Sequence, residues 1–288
     1  MTLVNSNEPI TSLVPQGEHS LSTTTETMSV AIAATARAEV EARCLMAMQN
    51  PRDWDTVRLV LLKDCRRPGF ASSARYAKPI GGGKKAEGFT VRFAEGAKRA
   101  MRNIDTRAFI VREDDFSQTI RVGVLDLENN NSAAVDVTLD KTVERRNPDG
   151  RLVLGSRKNS EGVPTYKVAA TEDEMLAKRN AAISKAKRNL ILEILPSDIA
   201  EEALFQIQTT RADEFKKDPD AVRKGIVDSF ASLGVMPDQL KTHMGGTDLT
   251  SLSPHELQYL RDTYQAIRDG ETTWREVTAP PPDEKSEE

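Results

Sequence analysis

The pattern of apolar and polar positions changes its period near the middle of the chain, and this change predicts the core of the fold. From Thr106 to Val143 apolar and polar residues alternate, which is typical of β-strands with one dry and one wet face. Turn residues at 114–117 and 129–132 divide this stretch into three strands. From Thr171 to Leu195 the period becomes that of a helix, and Thr-Glu-Asp-Glu at its start predicts a capping box. The order predicts an α+β fold with a β-β-β-α antiparallel-sheet core packed with helices.

Helical periodicity also flanks this core on both sides, and the last three helices predict a small C-terminal helical module. Asp53 is a predicted N-cap, and Ser253 with Pro254 predicts a strong helix start. Short strands are predicted at 152–154 and 165–168. The flanking helices are predicted over residues 28–48, 53–63, 92–102, 199–208, 220–233 and 253–268.

Composition divides the chain into four segments. Residues 1–27 are rich in Ser, Thr and Glu and lack a long apolar run, so we expect a flexible N-terminal arm. Residues 28–196 are the expected core, and residues 197–276 an acidic helical module. The proline-rich acidic end, 277–288, has the composition of a disordered tail.

The sequence shows neither a signal peptide nor an apolar stretch long enough to span a bilayer. Its two cysteines, Cys44 and Cys65, lack metal or redox spacing. We therefore expect a cytoplasmic protein with reduced thiols and no membrane partner.

The formal net charge of −4 combines three unlike segments. Residues 1–51 carry −3, from two basic and five acidic side chains. Residues 52–195 carry +8, from twenty-eight basic and twenty acidic side chains, and residues 196–288 carry −9, from ten and nineteen. An acidic protein still binds a polyanion when its basic groups share one face, because salt screens interactions beyond about 10 Å. The basic middle indicates a nucleic-acid partner, although the same charges also fit a solvated surface.

Basic clusters and two tyrosines are the candidates for nucleic-acid contact. Arg and Lys hold phosphates, and an exposed aromatic ring stacks on a base. The basic stretch 145–158 is expected to form one mobile wall of a groove, and the cations at 66, 67, 84 and 85 the opposite wall. On the helix at 171–195, three cations share a face, which predicts a phosphate track or a solvated face. The candidates are Arg66, Arg67, Arg75, Tyr76, Lys78, Lys84, Lys85, Arg145, Arg146, Arg157, Lys158, Tyr166, Lys178, Lys185 and Arg188, whereas Phe89, Phe93 and Phe109 are expected in the core.

Several stretches resemble the phage single-strand annealing proteins of the RecT, Red-beta and Erf group. The resemblance lies in the order of a basic helix, a three-stranded meander and a helix that contains Lys-Ala-Lys-Arg-Asn at 185–189. The stretches 88–95, 166–168, 249–254 and 264–274 are similar as well. The likeness is one of order and composition rather than of invariant motifs, so no residue role is carried over from the group.

The resemblance implies an ATP-independent, phage-encoded protein of the bacterial host cytoplasm that coats single-stranded DNA and anneals complementary strands in homologous recombination. It implies a ring or a helical homo-oligomer, with neither catalytic residues nor a cofactor. It also implies that the C-terminal module docks a host single-strand-binding protein or a companion exonuclease. From the residues alone, the module has two further readings, since an acidic domain also shields a basic groove or completes a subunit interface.

A second hypothesis is a phage structural or scaffolding protein with a basic self-association surface. Annealing predicts that the cationic candidates converge on one groove, whereas scaffolding predicts that they scatter. A magnesium nuclease is a third possibility if Asp114, Asp115, Asp126 and Glu128 meet across the hairpin, but the expected lysine behind them is absent. A P-loop around Gly83-Lys84 would need Gly at position 78 and Ser or Thr at position 85, but both positions are Lys, so this route to an ATP site is excluded. The three histidines, His19, His243 and His255, lack metal spacing.

Overall fold

The computed structural model describes the backbone of residues 19–81, 84–158 and 163–278, and the side chains of residues 28–78, 85–158 and 163–278. The chain divides into two compact units after Asn50. Of the expected disordered tail, residues 279–288 lie outside the described residues.

The first unit contains a single described element, the helix α1 (His19–Gln49). Residues 1–18 of the expected arm lie outside the described residues, but residues 19–27 are helical, so the predicted arm is too long. Ser and Thr each cost a helix less than about 0.7 kcal/mol relative to Ala. A helix already nucleated further along the chain can therefore extend through them.

The second unit begins at Pro51 and mixes helices with antiparallel sheets, which confirms the predicted α+β class. Its elements in chain order are α2 (Trp54–Cys65), α3 (Pro68–Ser73), β1 (Arg75–Gly81), β2 (Lys84–Phe89), α4 (Val91–Met101), β3 (Ile104–Glu113), β4 (Ser117–Asp126), β5 (Asn131–Asp140), β6 (Thr142–Arg145), β7 (Val153–Lys158), β8 (Pro164–Ala169), α5 (Glu172–Ile194), α6 (Ser197–Lys217), α7 (Pro219–Ser232), α8 (Pro237–His243), α9 (Pro254–Arg268) and α10 (Trp274–Thr278).

The central sheet is the predicted meander, in the order β3-β4-β5. Ile120 in the middle strand pairs with Ile110 on one side and Val137 on the other. Ile120, Val122 and Val124 all point to one face and are buried there, because α5 packs on β4 and β5. The alternating pattern thus sets which face of the sheet receives the helix.

Helix α5 begins where the capping box predicts. The amide of Glu174 donates to Oγ1 of Thr171 at 3.2 Å, and the amide of Thr171 donates to the Glu174 carboxylate at 2.8 Å. Four helices then close the core over the sheet. Its fully buried side chains include Leu61 of α2, Phe93 of α4, Ile191 of α5 and Ile207 of α6.

Helix α6 belongs to this core and not to the C-terminal module, so the boundary predicted after residue 196 falls too early. Ile199, Ala203 and Ile207 recur every four residues along α6 and face the core. The second apolar cluster begins with Val222 of α7 and includes Phe230, which meets other rings edge-on. The boundary was placed too early because α6 is rich in acidic residues, as is the C-terminal module, although its apolar face packs in the core.

Two small sheets accompany the central sheet, and β7 and β8 of the second one overlap the short strands predicted at 152–154 and 165–168. The hairpin pairs β1 with β2 over residues 75–81 and 84–89, where no strand was predicted. The stretch 145–158, expected as a mobile loop, includes the end of β6 and the whole of β7, and β8 lies between these two strands. Val168 of β8 is fully buried and anchors the second sheet, whereas Val153 and Leu154 of β7 are exposed.

Cys65 closes α2 inside the core. Its side chain is fully buried, and this burial raises the pKa of the thiol to about 12. Both cysteines are free thiols, as their spacing predicted.

Candidate nucleic-acid interface

The largest group of predicted site residues surrounds the second sheet, β6-β8-β7, and the start of α5. Arg145 of β6 and Arg151 both contact the carboxylate of Glu174, the latter at 2.8 Å. The hydrogen bond from Arg145, the amide of Thr171 and the hydrogen bond from Arg151 together lower the pKa of Glu174 to about 2. One carboxylate therefore serves both as a helix cap and as the partner of two guanidinium groups.

Lys178, one turn further along α5, joins the two sheets. Its Nζ donates to the backbone carbonyls of Asp140 at 2.6 Å and of Thr142 at 3.0 Å. These carbonyls stand where the central sheet ends and the second sheet begins. The ammonium group thus stabilises the junction between the two sheets. The Lys178 side chain is half-buried, whereas the predicted phosphate track requires an exposed cation.

The face of the second sheet opposite Val168 carries further cations. Arg157 of β7 forms two hydrogen bonds of 2.8 Å with Glu144 of β6, reaching across the central strand. Lys167 of β8 is in register with Glu144 and binds Asp140 at 3.1 Å. Arg146 and Lys158 are exposed at the ends of β6 and β7.

Tyr166 lies on the other face, in register with Arg145 and Ser156, and is half-buried. The second sheet and the first turns of α5 therefore gather six of the fifteen predicted residues. They are Arg145, Arg146, Arg157, Lys158, Tyr166 and Lys178.

A second group lies where β1 meets the C-terminal module, and most of it is covered. Arg188 of α5 and Lys78 of β1 both bind Glu271, with 3.0 Å between Nζ of Lys78 and the carboxylate. The Arg188 guanidinium lies 4.9 Å from the centre of the Tyr76 ring. The prediction of an exposed basic stripe on α5 is wrong for Arg188, because a partner 83 residues away in sequence buries it.

Arg75 and Lys85 belong to the same hairpin. Arg75 is buried and bound to Glu87 of β2 at 2.8 Å. Nζ of Lys85 lies 4.0 Å from the centre of the Tyr259 ring on α9. The hairpin cations therefore contact neighbouring side chains of this chain, and the side chain of Lys84 lies outside the described residues.

The remaining candidates are exposed at two other places. Arg66 and Arg67 occupy the corner between α2 and α3, where Arg66 donates to Gln206 at 3.3 Å and Arg67 pairs with Asp64 at 3.0 Å. Lys185 is exposed on α5. Among the described side chains, the cationic candidates thus fall into groups that contact different partners.

The solvent face of the central sheet holds a group that sequence reasoning missed. Phe109 was expected in the core, but it is 52% exposed on the face opposite α5. It pairs with Arg121, which binds Asp136 through two hydrogen bonds of 2.7 Å. The sequence contains an indication of this exposure, because successive side chains of a strand point to opposite faces. Phe109 is two residues from the charged Arg107 and points to the same face, whereas Ile104 points to the buried face.

The carboxylates proposed for a magnesium nuclease do not meet. Asp114 accepts hydrogen bonds from the amides of Phe116 and Ser117 in the turn that precedes β4, whereas Asp126 ends that strand and binds Arg52. A strand of ten residues separates the two by about 30 Å. Among the described residues, no group of His, Cys, Asp or Glu is arranged to hold a metal ion.

Comparisons with protein-family models, with curated proteins and with solved structures returned no match for this chain. None of the helices in the described ranges combines the length and the apolar character that crossing a membrane requires.

Proposed function

We propose that the protein binds single-stranded DNA without ATP and anneals complementary strands during homologous recombination, as the phage annealing proteins that its sequence resembles do. The observation that carries this proposal is the cationic second sheet that follows the central meander. Residues 141–169 contain seven basic and three acidic side chains, a net charge of +4. The solvent face of the central sheet adds the exposed ring of Phe109.

Annealing requires that phosphates are held while base edges stay free to test a partner strand. The second sheet suits this task, because its exposed cations are spread over three short strands. Arg157, now paired with Glu144, exchanges a carboxylate for a phosphate at little cost, since both anions accept a bidentate hydrogen bond from a guanidinium. An exposed phenylalanine adds about 1–3 kcal/mol for a stacked base without selecting its sequence.

The edges of the central sheet support the homo-oligomer that the proposal includes. Within the described residues, β3 and β5 each pair on one side only, and each is ten residues long. Ile110 and Val111 of β3 are large apolar residues that remain exposed. Long edge strands with exposed apolar side chains favour pairing with another chain.

The first test is binding and annealing of two complementary oligonucleotides without ATP, at two salt concentrations. The variant is Arg157→Ala/Lys158→Ala, and the matched control is Lys216→Ala/Lys217→Ala, which removes the same charge from two exposed residues at the end of α6 that are not among the candidates. We expect salt-sensitive binding whose slope against log salt becomes shallower by about 0.7 for each lost phosphate contact in the first variant only. Absence of binding at low salt would remove the proposal.

A phage structural or scaffolding protein is the second candidate. It is favoured by the separation of the cations into groups that pair with carboxylates of the same chain. Sedimentation of the protein with and without single-stranded DNA distinguishes the two, because a scaffold assembles without DNA and an annealing protein extends its assembly along the strand.

For the C-terminal module we propose a protein partner, a single-strand-binding protein or a companion exonuclease, on the strength of the resemblance alone. The module also contacts β1 through α9, which fits the alternative that the module shields basic residues of the core.

A further inference from the structure

The short connection between α9 and α10 places a carboxylate between two cations of the core. Glu271 is only 7% exposed, and it binds the guanidinium of Arg188, itself 8% exposed. The ammonium group of Lys78 contacts both the Glu271 carboxylate at 3.0 Å and the Glu271 backbone carbonyl at 3.3 Å. Two positive groups therefore share one negative side chain in a site that is largely closed to water.

The pocket itself is built on regular elements of the core. Lys78 and Tyr76 belong to β1, and Arg188 belongs to α5. The Tyr76 ring lies over Gly88 of β2, where an added Cβ would stand 3.1 Å from the ring, and the Arg188 guanidinium lies on the ring at 4.9 Å. The Arg188 guanidinium is thus held by Tyr76 of the hairpin as well as by Glu271, whereas the ammonium group of Lys78 extends from β1 to two oxygens of Glu271.

Glu271, by contrast, lies outside regular structure. Helix α9 ends at Arg268, and Gly270 has a φ of +73°, which suits glycine and ends the helix. Short irregular connections open at lower cost than packed strands and helices. When the contact separates, the moving part is therefore the connection that carries Glu271.

We propose that Lys78 and Arg188 form a binding site for a backbone phosphate of single-stranded DNA, and that Glu271 occupies this site as an internal competitor until the strand displaces it. This inference rests on the proposed function and specifies how its DNA site is regulated. The buried guanidinium of Arg188 and the partly buried ammonium group of Lys78 are costly without an anion, so the carboxylate leaves only in exchange for another anion. A phosphate oxygen meets the same donors with the same hydrogen-bond geometry.

The alternative is an ion pair that only fastens the C-terminal module to the core. Both hypotheses predict that Glu271 stabilises the contact between the C-terminal module and the core. They differ in the effect of its charge on DNA, because a competitor weakens DNA binding whereas a fastener leaves it unchanged. By reciprocity, a bound strand must loosen the contact by the same factor by which the contact weakens the strand.

The test compares Glu271→Gln with Glu193→Gln in the full-length protein, using the fluorescence anisotropy of a labelled oligo-dT strand at low salt. Glu193 is exposed on the same helix as Arg188, so its variant controls for the change in net charge. We expect Glu271→Gln to tighten binding by about fivefold or more, as coupling between two sites does, while Glu193→Gln leaves the affinity unchanged. Lys78→Gln added to Glu271→Gln should remove the gain.

Each outcome decides between the accounts. Equal affinities of Glu271→Gln and the unmodified protein would overturn the competitor and leave the proposed function standing. Equal tightening by both variants would overturn it as a general charge effect. Binding by Glu271→Gln alone would support both proposals, and absence of binding by every form would overturn both.

Hydrogen exchange of the unmodified protein gives a readout that does not depend on the folding of a variant. Adding the oligonucleotide should speed the exchange of amides in residues 271–278, since the displaced connection loses its contacts. Unchanged or slower exchange in that segment, under conditions where the strand binds, would contradict the competitor.

Discussion

Arg52 donates two hydrogen bonds of 2.9 Å to the carboxylate of Asp126 and thereby ties the chain ahead of α2 to the end of β4. The guanidinium is 2% exposed, and its Nε donates to the carbonyl of Met101 at 2.8 Å. Three segments that are remote in sequence meet at this side chain. The pair also removes Asp126 from any metal-binding role.

Replacing Arg52 by Ala should lower the free energy of unfolding by about 3–5 kcal/mol, because the Asp126 carboxylate would remain buried without its partner. Denaturant unfolding followed by circular dichroism measures the change. Arg58→Ala is the matched control, since Arg58 binds Glu202 on the surface and such pairs contribute less than about 1 kcal/mol. Similar losses in the two variants would contradict the assignment.

The pKa of about 2 for Glu174 predicts a pH dependence of stability. The carboxylate has a lowered pKa in the folded state and an ordinary pKa of 4.5 when unfolded, so its contribution is complete above the latter and declines as pH falls towards 2. Melting temperatures of the unmodified protein and of Glu174→Gln should therefore differ most at neutral pH and converge in acid. A constant difference from neutral pH to acid would show that the charge of Glu174 is not the stabilising feature.

Phe109→Ala should weaken binding of single-stranded DNA while changing stability little. The ring stands exposed on the sheet, where it is available to a base, and loss of one stacked base costs about 1–3 kcal/mol of binding. Oligonucleotide binding and thermal unfolding are measured on the same samples. Phe116→Ala is the control, because that ring is 81% exposed in the turn before β4. Equal DNA affinities of the two variants would remove Phe109 from the interface.

Two helical glycines should respond in opposite directions to alanine. A Cβ on Gly96 of α4 would stand 2.8 Å from Cζ of Phe70, so Gly96→Ala should destabilise the core by about 1–3 kcal/mol. Gly225 of α7 has open space around it, and Gly225→Ala should stabilise by about 0.5–1 kcal/mol through helix propensity. Denaturation midpoints measure both changes, and the same sign for both would contradict the packing described at Gly96.

The parts of the fold that sequence reasoning predicted are those set by neighbours along the chain. The alternation in β4, the capping box at Thr171 and the cap at Asp53 each depend on residues only a few positions apart. The structure confirms all three. The hairpin β1-β2 was missed because Pro79 and the glycines at 81–83 mask a strand pattern that tertiary contacts with α9 sustain.

The candidate site was harder to predict, because burial of a charge depends on partners far away in sequence. Lys185 and Arg188 look alike in the helical pattern, yet one is exposed and the other is buried beneath Glu271. Spacing within a helix identifies which residues share a face, but it does not say what covers that face. Phe109 shows the converse case, since this apolar ring is 52% exposed on the face of the sheet opposite α5.

The burial of Cys65 makes its thiol a reporter of how often the core opens. Because the thiol is enclosed and holds its proton at neutral pH, a maleimide reaches it only when the helices of the core separate. In a Cys44→Ser variant, which removes the partly buried second thiol, the labelling rate of Cys65 therefore reports the opening of the core. Under the proposed function, the same rate measured with single-stranded DNA present would reveal whether binding of a strand tightens the interior of the core.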